Sequence, residues 1–250
     1  MYCQASRARV RATTVPLAVI LAVMAAAAPR AARGAIIPLS QSHLLTASVT
    51  LDNTTVDDSD AGSTIGPVDA EARASILVPD NNALAELVLT FGSGTISGLL
   101  SGDASGMPWT SPVTDRASGN FEYRFMVSEP TPYRLSGLVR IYGRYLGDTG
   151  SAELRLTEDG VRIGGNAISS PPPFPSGGAA TFDNQGTLLP GRTYALNGSI
   201  VAGMVVEPFT NLTFSITDAE FALTVPEPSA VCLAAPVALC LLARRRCPRA

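Results

Sequence analysis

Carboxylates carry most of the chemical potential in this sequence. Glu122, Glu153, Glu207 and Glu220 stand on or beside alternating apolar segments, and glycoside hydrolysis requires only two acidic groups about 5 to 10 Å apart across a sugar. Alternation places Glu122, Glu153 and Glu220 on outward faces, which is also where an inert, solvated glutamate belongs. A second group, Asp52, Asn53, Asp57, Asp58 and Asp60, gathers hard oxygen ligands on what reads as a flexible loop. Oxygen-rich loops of that kind suit calcium, and Asp57, Asp58 and Asp60 are its candidates here. The spacing is not that of an EF-hand: Gly62 follows Asp58 too early and no glutamate closes the loop, so a plain acidic loop is the simpler reading. Trp109, Tyr142 and Tyr145 lie at or beyond strand ends, where a ring can serve as a platform for a sugar, although partial burial is the commoner fate of such rings.

Other chemistries lack their residues. Serine catalysis needs a base for the hydroxyl proton, and His43 is the sole histidine. Gly102-Asp103-Ala104-Ser105-Gly106 does not have nucleophile-elbow spacing. One histidine cannot supply a zinc ligand set, and the four cysteines, Cys3, Cys232, Cys240 and Cys247, all lie in the terminal segments. Residues 35 to 228 therefore hold no thiol nucleophile and no disulfide, so an ordinary apolar core must stabilise them. That stretch carries nine arginines against all 21 acidic residues, a balance of −12. Such a surface disfavours nucleic acid and anionic lipid as partners, since both need basic patches. No cofactor is expected beyond the calcium option.

The elements that must position these groups have a period of two. Leu45, Ala47, Val49 and Leu51 alternate with small polar residues; Ala74, Ile76 and Val78, then Leu87, Leu89 and Phe91, continue the pattern. Phe121 to Val127, Tyr133 to Ile141, Ala152 to Leu156, Tyr194 to Ile200, Leu212 to Ile216 and Ala219 to Leu223 read as further half-buried strands. Turn signals fall at Gly92-Ser93-Gly94, Ser118-Gly119-Asn120, Glu158-Asp159-Gly160 and Pro190-Gly191. No window shows a helical stripe. Many short alternating strands predict an all-β fold, an antiparallel two-sheet sandwich of jelly-roll-like form, with a barrel as the alternative. The stretch from Gly164 to Ala180, rich in proline and glycine, reads as one long surface loop. Tyr133-Arg134-Leu135-Ser136-Gly137 and Tyr194-Ala195-Leu196-Asn197-Gly198 share a Tyr-x-Leu-x-Gly pattern that we ascribe to strand geometry.

Both ends read as export signals. Arg7, Arg9 and Arg11 precede an apolar run from Val15 to Ala28, and Ala32-Arg33-Gly34 offers small residues to signal peptidase, so residues 1–34 read as a signal peptide cut before Ala35. Residues 225–250 begin Val225-Pro226-Glu227-Pro228-Ser229, continue as 14 apolar residues from Ala230 to Ala243, and close on Arg244, Arg245 and Arg246. As a helix that run reaches roughly 21 Å, short of the ~30 Å hydrocarbon core, which makes it a marginal span. The three arginines extend its reach and stop it on the cytoplasmic side, leaving residues 35–224 outside.

This tail resembles the PEP-CTERM protein-sorting signal of Gram-negative bacteria. The resemblance implies that Pro226, Glu227 and Pro228 are recognition residues for a membrane-embedded exosortase and take no part in catalysis. It further implies a precursor held in the inner membrane and a product delivered to the cell envelope or an extracellular polysaccharide matrix. The expected protein is therefore an exported, non-enzymatic sandwich with a structural or sugar-binding role, handled by signal peptidase and the sorting enzyme. A carbohydrate-active enzyme using paired carboxylates and a permanently anchored surface protein are the alternatives.

Overall fold

The computed structural model describes residues 36–52, 54–77, 80–92, 94–106, 111–143, 149–169, 178–206 and 213–225. Twelve strands run in order: β1 Ile36–Leu51, β2 Thr54–Gly62, β3 Val68–Leu77, β4 Asp80–Gly92, β5 Thr95–Gly106, β6 Val113–Val127, β7 Thr131–Gly143, β8 Thr149–Glu158, β9 Val161–Ser169, β10 Gly178–Leu188, β11 Tyr194–Val206 and β12 Thr213–Thr224. They form two six-stranded sheets, β2-β1-β6-β11-β8-β9 and β10-β7-β12-β5-β4-β3, hereafter sheets A and B. All pairings are antiparallel, and all twelve strands belong to one compact unit. Each sheet keeps two open edges, so the barrel alternative does not hold. Among the described residues no helix is long and apolar enough to cross a membrane.

The period-two pattern does what it should. In β6, Val113, Asp115, Ala117, Gly119, Phe121, Tyr123, Phe125 and Val127 face inward while Arg116, Asn120 and Arg124 are exposed. Inward residues of the two sheets then meet in one apolar core. At its centre Phe121 of sheet A stacks on Phe221 of sheet B, ring centroids 5.4 Å apart. Each ring needs a hole to lie in. Gly198 pairs with Phe121, and a Cβ on Gly198 would come within 2.2 Å of that ring. On sheet B, Gly137 pairs with both Phe182 and Phe221, and its Cβ would meet the Phe182 ring at 2.5 Å. The glycines that close the two Tyr-x-Leu-x-Gly segments are thus seats for cross-strand aromatics, a pairing that compensates a glycine's missing side chain. Strand geometry explains the echo.

Three readings are corrected, and one strand escaped the sequence. Asp57, Asp58 and Asp60 lie on the edge strand β2, paired to β1 through Ala47↔Asp58 and Leu45↔Asp60, and form no flexible loop. The segment 164–180 is strand at both ends, with β9 running to Ser169 and β10 beginning at Gly178. Ser118-Gly119-Asn120 is no turn but the middle of β6, where Gly119 leaves room for Leu45 and Leu100; a Cβ there would stand 2.8 and 2.9 Å from their methyls. Gly102 to Gly106 lies within β5, whose inward positions are mostly glycine and alanine and so escape an apolar count. The Asp159-Gly160 signal holds: Glu158 pairs with Val161, and both loop residues have positive φ, 46° and 85°, as a two-residue type I′ hairpin requires.

The sheet edges are tied to one another by side chains. Asp58 Oδ2 accepts the Arg73 amide of edge strand β3 at 2.8 Å, and its Oδ1 accepts the Ser59 amide. On the opposite edge Asn184 Oδ1 accepts the Gly165 amide at 2.8 Å, and Asn166 donates to Thr181 O. Buried Gln41 holds the β2–β3 crossover by exchanging two bonds with the Gly66 backbone, each 3.0 Å. The Ser59, Arg73 and Gly165 amides on these edges are thus occupied and closed to another strand.

Candidate functional site

The outer face of sheet A is polar across four strands. Register aligns Ser42 (β1), Glu122 (β6), Asn197 (β11) and Arg155 (β8) in one row. The next row aligns Leu44, Asn120, Ser199 and Glu153. Between these rows lies a hollow of about 250 Å³, lined by Ser42, Asn120, Phe121, Glu122, Glu153, Arg155, Asn197, Gly198 and Ser199. Phe121 points into the core and is 3% exposed, so it contributes backbone here. The bare Gly198 backbone beside it is a further consequence of the aromatic seat.

Local pairing along the strands steadies the charges. Arg124 Nε donates to Glu122 Oε1, and Arg155 Nη1 stands 3.8 Å from Glu153 Oε1. Ser42, Asn120 and Ser199 make no side-chain hydrogen bond to another described residue, and Asn197 makes only a 3.4 Å contact to Ala195 O. Hydrogen-bonding capacity on this face is thus little used within the protein. Glu122 and Glu153, read above as simply solvated, point outward but are half-buried against one hollow, whereas Glu220 on sheet B is exposed. Register puts Glu122 and Glu153 two strands and two residues apart, about 12 Å between Cα atoms from ordinary strand spacings.

The outer face of sheet B has a different character. Tyr142 is 51% exposed and stacks on Phe214 at 5.4 Å. The same face carries Asp103 and Asp218 on neighbouring strands, where Ile216 pairs with Asp103 and Asp218 pairs with Arg140. Arg140 Nε donates to Asp218 Oδ2 at 2.7 Å. Burial, and then the negative Asp218, push the Asp103 carboxyl above its usual range, and Asp103 Oδ1 is buried without a hydrogen bond. Trp109, Tyr145 and Glu207 lie outside the described residues, as do Pro226, Glu227, Pro228, Arg244, Arg245 and Arg246.

The calcium candidates do not converge. Asp58 and Asp60 share the inward side of β2 and Asp57 the other, Asp58 is engaged by two backbone amides, and Asp60 sits 3.8 Å from His43 Nε2. Among the described residues no group of three or more metal-ligating side chains comes together.

One further carboxylate is notable. Asp115 faces inward at 0% exposure, neither oxygen has a hydrogen-bond partner, and burial pushes its pKa up to about 8. Asn81 and Met204 surround the same point: a Cβ on Gly106 would lie 2.5 Å from Asn81 Oδ1, 2.7 Å from Met204 Cε and 2.8 Å from Asp115 Oδ2.

Sequence reading missed Asn120, Asn197, Ser199 and Arg155. Alternation does place each outward, but which strands neighbour one another decides that they meet. It missed Asp103 and Asp115 too, because neither sits in an alternating apolar run.

Fold and faces together define an all-β two-sheet sandwich with a polar hollow on one outer face. No family model and no curated sequence matches the chain. Among solved structures it is similar, at 8% identity and a TM-score of 0.18, to the GH31 alpha-xylosidase of Xanthomonas citri, over 71% of this chain and 32% of that one. It is also similar to an infectious bursal disease virus structure, Gt strain, at 9% identity and a TM-score of 0.20, over 77% of this chain and 67% of that one. The chain thus spans about a third of the xylosidase chain's length.

Proposed function

We propose that the chain is an exported, non-enzymatic β-sandwich of jelly-roll-like form, sorted by its C-terminal signal to the cell envelope or an extracellular polysaccharide matrix. There it serves a structural or sugar-binding role. The observation that carries the proposal is the junction at Val225. Strand β12 ends at Thr224, Val225 is buried and donates its amide to Gly94 O at 2.6 Å, and Pro226-Glu227-Pro228 follow at once in the sequence. Every described strand lies before Pro226, so removal of everything after the motif would leave the described core intact. The −12 balance between residues 35 and 228 is of the kind that keeps an exported product in solution.

Glu122 and Glu153 beside one hollow favour a second reading, a carbohydrate-active enzyme. Each is held by an arginine two residues along its own strand, an arrangement suited to fixed hydrogen-bond acceptors.

The test is intact mass and peptide mapping of the protein from its host, with cell fraction and medium separated. A product beginning near Ala35 and ending close to Glu227, partly in matrix or medium, is expected. A protein that keeps Arg244-Arg245-Arg246 and stays wholly in the membrane would make the tail an anchor and end the sorting reading.

A further inference from the structure

We infer that the hollow on the outer face of sheet A is a binding site for an uncharged, hydroxyl-rich glycan. The inference rests on the envelope or matrix reading only for its biological setting; the site itself is argued from geometry. Asn120 and Asn197 each offer a donor and an acceptor, Ser199 offers both through one hydroxyl, Glu122 and Glu153 accept, and Arg155 donates. A sugar ring presents adjacent hydroxyls that each donate and accept, so a mixed lining of this kind satisfies them where a purely acidic or purely basic one would not. Asn120 and Ser199 make no side-chain hydrogen bond to another described residue and Asn197 makes only the long contact to Ala195 O, while Glu122, Glu153 and Arg155 keep free capacity beside their same-strand ion pairs, which leaves ligand or water for the remainder.

Placement supports the same ligand. Every lining residue sits on a strand rather than a loop, so the array is fixed by the sheet ladder and binding orders little. The row from Ser42 to Arg155 crosses four strands, about 14 Å at ordinary strand spacing, the length of a short oligosaccharide. Charge decides between glycan classes. Arg124 pairs with Glu122 and Arg155 lies beside Glu153, so the hollow offers no excess of positive charge, and residues 35 to 228 carry a −12 balance, so a polyuronate is repelled while a neutral chain is not. With no outward aromatic ring in the lining to stack on a sugar, affinity comes from hydrogen bonds exchanged with water. Such exchange gives a weak single site, on the order of millimolar, so retention requires a polymer that presents its sugars at comparable concentration.

The experiment is affinity electrophoresis of the full-length chain in detergent, through gels containing a neutral glucan, a polyuronate or no polysaccharide. Retardation by the neutral glucan alone is expected. The double variant Asn120→Ala/Asn197→Ala should need at least about tenfold more glucan for equal retardation, while Glu220→Gln, on the other sheet, should behave as wild type. Should the double variant fail to fold by circular dichroism, Glu153→Gln read by the same gels, together with side-chain amide NMR shifts of Asn120 and Asn197 on adding a soluble neutral oligosaccharide, takes its place. Retardation equal in wild type and variant, retardation by polyuronate only, or an oligosaccharide that leaves those amide signals unmoved overturns the inference. Release of new reducing ends from the glucan overturns it in favour of the enzyme reading. Because the unprocessed chain is used, an uncleaved tail in the host would refute the sorting reading and leave this result standing.

Discussion

Replacing Asp115 with asparagine should change how stability depends on pH, and by a computable amount. In the folded chain the carboxyl is fully buried, without a hydrogen bond to either oxygen, and titrates at about 8 in place of 3.8. Between those values the unfolded chain ionises at this position while the folded chain keeps its proton. The stability that the protonated group provides is therefore complete below about pH 4 and is lost as pH rises through 8. Each unit of pKa difference corresponds to about 1.4 kcal/mol, so the full loss approaches about 6 kcal/mol. Asparagine has the same shape and does not ionise. Any constant packing penalty it brings cancels from the slope. Urea denaturation of wild type and Asp115→Asn at half-unit steps from pH 4 to 9 should give stability curves that diverge by about 1.4 kcal/mol per pH unit and run parallel above pH 8. For a domain of this size the full divergence equals a gain of roughly 12 to 24 °C in Tm at pH 8 and above. Curves that stay parallel across the whole range would refute the reasoning, because they would mean that Asp115 is ionised in the folded chain near its ordinary pKa.

Two smaller perturbations probe the architecture. Gly198→Ala drives a methyl to 2.2 Å from the Phe121 ring, and forcing atoms into a filled core costs about 2 kcal/mol; a Tm drop of about 6 °C is expected, and an unchanged Tm would show that the Phe121–Phe221 stack can shift freely. Asp58→Ala removes the acceptor for the Arg73 amide on edge strand β3, so a stability loss of about 1 kcal/mol and a concentration-dependent rise in dimer by sedimentation are expected, whereas a strictly monomeric variant would mean that this edge is guarded by something else.

The sandwich could be read from residue order wherever inward positions are large and apolar. Leu45, Ala47 and Val49 in β1, the aromatic series of β6 and the Tyr-x-Leu-x-Gly openings of β7 and β11 announce their strands through burial, and burial is what they do. Strands that bury little stayed hidden. β2 reads Thr-Thr-Val-Asp-Asp-Ser-Asp-Ala-Gly and is almost wholly exposed; it is a strand because β1 offers it a ladder and Asp58 clasps β3, and neither fact is local. β5 hides its inward face behind Gly98, Gly102, Ala104 and Gly106 because rings and branched chains from other strands occupy the space those residues leave. Likewise each hollow-lining residue could be assigned outward from alternation, while the hollow itself depends on β11 lying between β6 and β8. Register between distant strands is set by the whole core, and no short window contains it.

Strand order also governs when this chain can become itself. The last described strand, β12, lies between β7 and β5, and β11 lies between β6 and β8. Neither sheet is contiguous until residues beyond 194 and then beyond 213 have arrived. Pairings such as Leu45↔Gly119 and Ala219↔Leu100 close long loops before they return any stabilisation, and folding dominated by such contacts is slow. A chain delivered from its N-terminus can thus form local hairpins early but cannot close either sheet for most of its length, and it completes the described core only when β12 slots into the gap left for it.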